Sequence, residues 1–169
     1  VYDRIGGDAS YFFKNVKRYF ENDDLTLVNF EGTLSENGER QEKQYSFRGK
    51  PEYAKILTEA SIEGANLSNN HTMDYGAVAF SDTKKILSDS GITHFTGNDF
   101  AIREINGIKT ALIGVNFLRG EQNRFLNVLE ESKKHKPQLT IVSVHWGIER
   151  NATPEKEQIE FAHMAIDNG

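Results

Sequence analysis

Apolar positions along this chain fall into two rhythms. Short runs rich in Val, Ile, Leu and Thr, "TLVNFE" (26–31), "GANLSN" (64–69), "THFTG" (93–97), "TALIGVN" (110–116) and "LTIVSVHWG" (139–147), read as strands. Between them, "YFFKNVKRYFEN" (11–22), "PEYAKILTEASI" (51–62), "YGAVAFSDTKKILSDSG" (75–91), "QNRFLNVLEESKKH" (122–135) and "TPEKEQIEFAHMAIDNG" (153–169) repeat their apolar residues at helical spacing. Punctuation agrees, with Pro51 and Pro154 near first turns and Gly91 just past a helix end. Strands alternating with helices predict an α/β fold, a mostly parallel sheet flanked by helices.

Two segments depart from the alternation. "SENGERQEKQYSFRGK" (35–50) is polar and predicts a hairpin or loop excursion beyond the sheet. "REINGIKT" (103–110) places Asn-Gly between β-like stretches, which predicts a hairpin closed by a type I′ turn. There is no internal repeat, low-complexity tract or linker, and 169 residues suit one core, so residues 1–169 read as a single domain.

Composition narrows the partners. The net charge of -5 arises from acids and bases mixed along the chain, with no basic stripe, so nucleic acid is not an expected partner. The "KKHK" run at 133–136 suits a helix C-terminus. Without cysteine the chain has neither disulfides nor a thiolate metal site. No apolar run reaches the length of a membrane-spanning helix.

In parallel α/β sheets, ligands gather beyond the carboxyl ends of the strands. Glu31 ends the first predicted strand, Asn69, Asn70 and His71 end the second, Asn98 follows the third, Asn116 ends the fourth and His145 closes the fifth. This convergence predicts a shared site at one sheet edge. Each residue also has an ordinary reading: Asn70 as a helix cap, His71 as a packed or surface histidine, Asp74 as a first-turn acid and His145 as a core histidine. As chemistry, a carboxylate, amide oxygens and imidazoles suit Mn, Fe or Zn better than Ca. Asp74, three residues after His71, is placed to fix that imidazole's tautomer.

The blocks "TLVNFEGTLS", "FRGKPEYAKIL", "GANLSNNHTMDYG", "THFTGND" and "VSVHWGIE" resemble, in order, those of the bacterial capsule synthesis family of CapA type, the poly-gamma-glutamate biosynthesis proteins. That family is related to the calcineurin-like metallophosphoesterases, so the resemblance implies a layered metallophosphoesterase-like domain. It implies that Glu31, Asn70 and His145 ligate a divalent metal (Mn, Fe or Zn). His71 would protonate a leaving group or steady the transition state while Asp74 orients it, and Asn69, Asn98, Asn116 and Glu149 would line the pocket. The implied activity is hydrolysis or transfer on a phosphoester or the gamma-glutamyl polymer. The implied partners are that anionic polymer, other capsule synthesis proteins and, through an anchor outside this chain, the membrane at the cell surface. A non-catalytic polymer-binding module that keeps the fold is the alternative. The family pattern also has a Gly-Asp strand upstream, for which Gly7-Asp8 is a poor substitute, and a Gly-His-x-Pro-His segment downstream. The chain therefore reads as a fragment with an incomplete metal site, incomplete at both ends.

Overall fold

The computed structural model describes residues 2–169, and the chain is a mixed α/β protein. It divides into two compact units, residues up to Ala65 with His71–His94, and Asn66–Asn70 with Phe95–Gly169.

The first unit opens with 3₁₀ turns at Tyr2–Ile5 and Ala9–Phe12 and a four-residue helix α1 (Lys17–Phe20). The single helix expected over 11–22 is thus broken. Its apolar side chains are largely exposed, Tyr11 and Tyr19 by 47% and 58%, so little burial holds a longer helix together. Strand β1 (Leu27–Asn29) follows, then the two-residue strands β2 (Thr33–Leu34) and β3 (Arg48–Gly49). A 3₁₀ turn begun by Pro51 leads into helix α2 (Ala54–Glu59), followed by β4 (Gly64–Asn66), helix α3 (Gly76–Asp89) and β5 (Thr93–Phe95). Strand β4 lies between β1 and β5 in one sheet. Helix α3 buries Ala79, Thr83 and Leu87 at four-residue spacing. Thr83 also donates to the carbonyl of Ala79 and accepts from the amide of Leu34, which fixes β2 to the helix.

The segment 35–50 is a loop excursion, not a hairpin. Its end returns as β3, which pairs in parallel with β2, Thr33 opposite Arg48 and Leu34 opposite Gly49. The intervening residues form a strap whose backbone closes on Asp74, with the Gln41 amide donating to the Asp74 carbonyl at 2.8 Å.

The second unit holds β6 (Phe100–Ile105), β7 (Ile108–Asn116), helix α4 (Phe125–Lys133), β8 (Leu139–His145) and helix α5 (Lys156–Asp167). Strand β7 is central, antiparallel to β6 and parallel to β8. The expected Asn-Gly turn is present: Ile105 pairs with Ile108 across Asn106 and Gly107, both at positive φ as a type I′ turn requires. Strand β6 starts earlier than the turn signal indicated, at Phe100, because its whole length has β7 to pair with.

The two faces of β7 and β8 differ in kind. Ile113, Val115, Val142 and Val144 meet Phe125, Leu129 and Phe161 of the helices and form the core. On the opposite face, alternation places Gly114 and Asn116 beside Ser143 and His145. Residues Asn66–Asn70 cover this polar face. Asn66 donates to Ser143 Oγ at 2.9 Å and to the Ser143 carbonyl, and its own Oδ1 accepts from the Ser68 amide. A side chain on Gly114 has no room here, since its Cβ would stand 2.5 Å from Ser68 Oγ and closer still to Asn66 Oδ1. The predicted strand 64–69 therefore stops at Asn66, where side-chain bonds take over from the ladder.

Candidate functional site

In the first unit the chemistry centres on His71 and Asp74. The cap reading of Asn70 fails on distance, because α3 begins at Gly76 and the residue preceding it is Tyr75. Residues 70–75 form a turn instead, which brings Asp74 Oδ2 to 2.8 Å from His71 Nδ1. Asp74 has no exposed surface, and its carboxylate is fully engaged. Lys43 donates to Oδ1, and the Phe47 amide donates to Oδ2 at 2.6 Å. Burial pushes the Asp74 carboxyl up, but the bonds from Lys43, the Phe47 amide and His71 outweigh it and hold the group below the ordinary carboxylate range.

An ionised Asp74 only accepts, so His71 Nδ1 carries the hydrogen of that bond. Nε2, the other ring nitrogen, lies 4.0 Å from Glu31 Oε2. Glu31, 37% exposed at its side chain, also accepts from Asn29 at 2.8 Å. The surface reading of His71 is corrected: it is only 8% exposed and its ring lies against that of Phe47, centroids 4.1 Å apart. The strap supplies this cover. Lys43 and Phe47 are functional neighbours that sequence reading missed. The available signal was a pair of aromatic residues, Tyr45 and Phe47, inside an otherwise polar run.

In the second unit, His145 Nε2 and Asn70 Oδ1 are 2.9 Å apart, and His145 stands opposite Asn116 in the β7–β8 register. Asn116 is fully buried, and its side-chain oxygen caps the 3₁₀ turn Phe117–Arg119 by accepting from the Leu118 amide. Asn69 is buried beside Asn70. Asn98 lies on the surface, where Arg124 donates to its side chain and its amide donates to Thr96 Oγ1. Glu149 is exposed, four residues beyond the end of β8. The site residues thus fall in two groups, Glu31, His71 and Asp74 in the first unit, and Asn69, Asn70, Asn98, Asn116, His145 and Glu149 in the second.

The donor types fit a borderline divalent metal. Such an ion sits about 2.0–2.2 Å from each nitrogen or oxygen donor. In the first unit Glu31 supplies a carboxylate, its Oε2 4.0 Å from His71 Nε2. In the second, Asn70 and His145 supply an amide oxygen and an imidazole that lie within hydrogen-bond distance of each other. Among the described residues no three His, Cys, Asp or Glu side chains converge into a metal-holding group, so each unit supplies a partial set. A cavity of about 360 Å³ between β8 and α5 is lined by no titratable side chain and by none of these residues.

Fold and site together define an α/β protein carrying a buried carboxylate–histidine pair on a strand-to-helix turn. The sequence pattern of the bacterial capsule synthesis protein PGA_cap family matches residues 2–169, and the chain belongs to that family. It is 28% identical to the capsule biosynthesis protein CapA of Bacillus anthracis, over the whole chain and 48% of that protein. It is 25% identical to the PGA biosynthesis protein CapA of Bacillus subtilis (strain 168), over the whole chain and 50% of that protein. A "probable polyglutamine synthesis accessory protein" of Mycobacterium tuberculosis is 25% identical over 86% of the chain and 47% of its own length. The chain spans about half the length of the curated relatives it matches.

Proposed function

We propose that this protein acts in the synthesis or export of a poly-gamma-glutamate-type capsular polymer, and that His71 is the group that moves a proton there. The observation that carries this reading is the pairing of His71 Nδ1 with fully buried Asp74 while Nε2 is turned to Glu31. A carboxylate on Nδ1 fixes the tautomer and the ring orientation, leaving Nε2 as the reacting edge. That arrangement suits a general acid or base on a phosphoester or a gamma-glutamyl amide.

The residues whose donor types suit a divalent ion are Glu31 in the first unit and, in the second, Asn70 and His145. When bound, such an ion supplies Lewis-acid polarisation of a phosphoryl or carbonyl oxygen. His71 and Asp74 need no metal to be positioned, since the turn and strap already hold them. A layered metallophosphoesterase-like arrangement and a place at the cell surface belong to the same reading. The second reading, a non-catalytic polymer-binding module, is favoured by the partial ligand sets among the described residues.

The test is His71→Asn in the full-length, manganese-supplemented protein. Asparagine keeps an amide near Nδ1 to meet Asp74 and deletes only the Nε2 edge. Polymer production, or turnover of a phosphoester or gamma-glutamyl substrate, should fall by about 10²–10⁴-fold, with thermal stability close to the parent. Unchanged polymer output with an intact fold would sink the catalytic reading and leave the binding module.

A further inference from the structure

Beside Glu31 lies a cavity of about 250 Å³ that the chemistry above does not use. Its walls are Leu34 from β2, Phe47 from the strap, and Tyr53, Ile56 and Leu57 from the turn and helix α2. Its rim carries two charged side chains, Glu31 and Arg48. The Arg48 guanidinium is engaged elsewhere, donating to the carbonyls of Asn37 and Gly38 at 2.7 and 2.9 Å and lying 3.7 Å from the centre of the Tyr75 ring. The rest of the lining is apolar apart from Thr33 and Glu31.

Gly49 keeps it open. A Cβ at that position would stand 3.1 Å from both Leu34 Cδ2 and Tyr53 Cδ2, between two of the walls. Phe47 belongs to both places, since it lines the cavity and its ring lies against that of His71. One residue thus separates a group in the cavity from His71. Sites for whole drug-sized ligands have volumes of about 300–1,000 Å³. This cavity is smaller and suits one fragment of a larger molecule.

We propose that the cavity is a subsite for a compact aryl or branched-alkyl group, carried next to the part of the ligand that reaches Glu31 and His71. The proposal deepens the reading of His71 as the reacting edge, and its test separates the two. In the 169-residue chain with labelled Ile and Leu methyls, three probes are titrated by NMR: benzyl alcohol, methyl phosphate and benzyl phosphate. Benzyl alcohol should move the Ile56 and Leu57 methyl signals saturably, and benzyl phosphate should bind about tenfold tighter than methyl phosphate, as burial of a ring predicts. Gly49→Ala should weaken both benzyl probes about tenfold and leave methyl phosphate unchanged. If that variant disturbs the β2–β3 pair, Ile56→Ala removes half-buried wall instead and should weaken benzyl alcohol about threefold. Benzyl alcohol that leaves these methyls unmoved, or binds both variants as it binds the parent, overturns the subsite. Benzyl alcohol binding with no response to methyl phosphate supports the subsite and counts against the reading of His71.

Discussion

Asp74 organises its surroundings through one carboxylate that receives a lysine, a backbone amide and an imidazole, with no surface left to water. Asp74→Asn keeps the shape but turns one acceptor into a donor that faces another donor. It should lower stability by about 1–3 kcal/mol, read as a shift in the urea midpoint at pH 7. The pH response has a definite sign. Because the folded carboxyl is held below its unfolded value of about 3.9, its stabilisation is present above that value and is lost as pH falls towards the folded one. The parent should therefore lose stability below about pH 4, and Asp74→Asn should flatten that limb when urea midpoints are compared at pH 6 and pH 3. The limb should not vanish, since hydrogen bonds from Ser35 and Asn37 also hold the Asp82 carboxyl low. His71→Ala should also cost stability. The ring is buried against Phe47, and its removal deprives Asp74 of a donor.

At the scale of elements, the polar strip on β7 and β8 is what periodicity alone could not reveal. The runs "TALIGVN" and "LTIVSVHWG" are apolar enough to be read as strands, and they are strands. Yet Gly114, Asn116, Ser143 and His145 read only as interruptions until pairing aligns them on one face. Helices α3, α4 and α5 and the Asn-Gly hairpin were legible because their signals are local, a stripe of buried positions or a two-residue turn. The strap was not, because what orders it is a lysine and a backbone amide meeting a carboxylate 31 and 27 residues away. The site was legible as a set of residue types at strand ends, and His71 with Asp74 as a spacing. Their burial depends on the strap and was not legible. Gly114→Ala tests how tightly the strip is packed. The added methyl would meet Asn66 and Ser68 and should cost about 1–3 kcal/mol, seen as a lower thermal midpoint together with loss of amide-exchange protection in β8.

For the whole molecule, chain connectivity matters as much as contacts. The polypeptide enters the second unit for only five residues, Asn66–Asn70, returns to the first, and comes back at Phe95. A fragment of residues 95–169 would have β6, β7, β8 and both helices but nothing over Ser143 and His145. Its β7 and β8 amides should exchange with solvent markedly faster than in the intact chain, and a peptide of residues 64–72 added in trans should slow them again. No acceleration in the fragment would mean that the five residues are decoration. The same passage bears on how fast the protein folds. The bonds between Asn66 and Ser143 and between Asn70 and His145 join residues 77 and 75 positions apart, so that part of the second unit is completed only after long loops have closed. On a ribosome, which releases residues from the N-terminus onward, these two bonds wait until the chain beyond His145 has emerged.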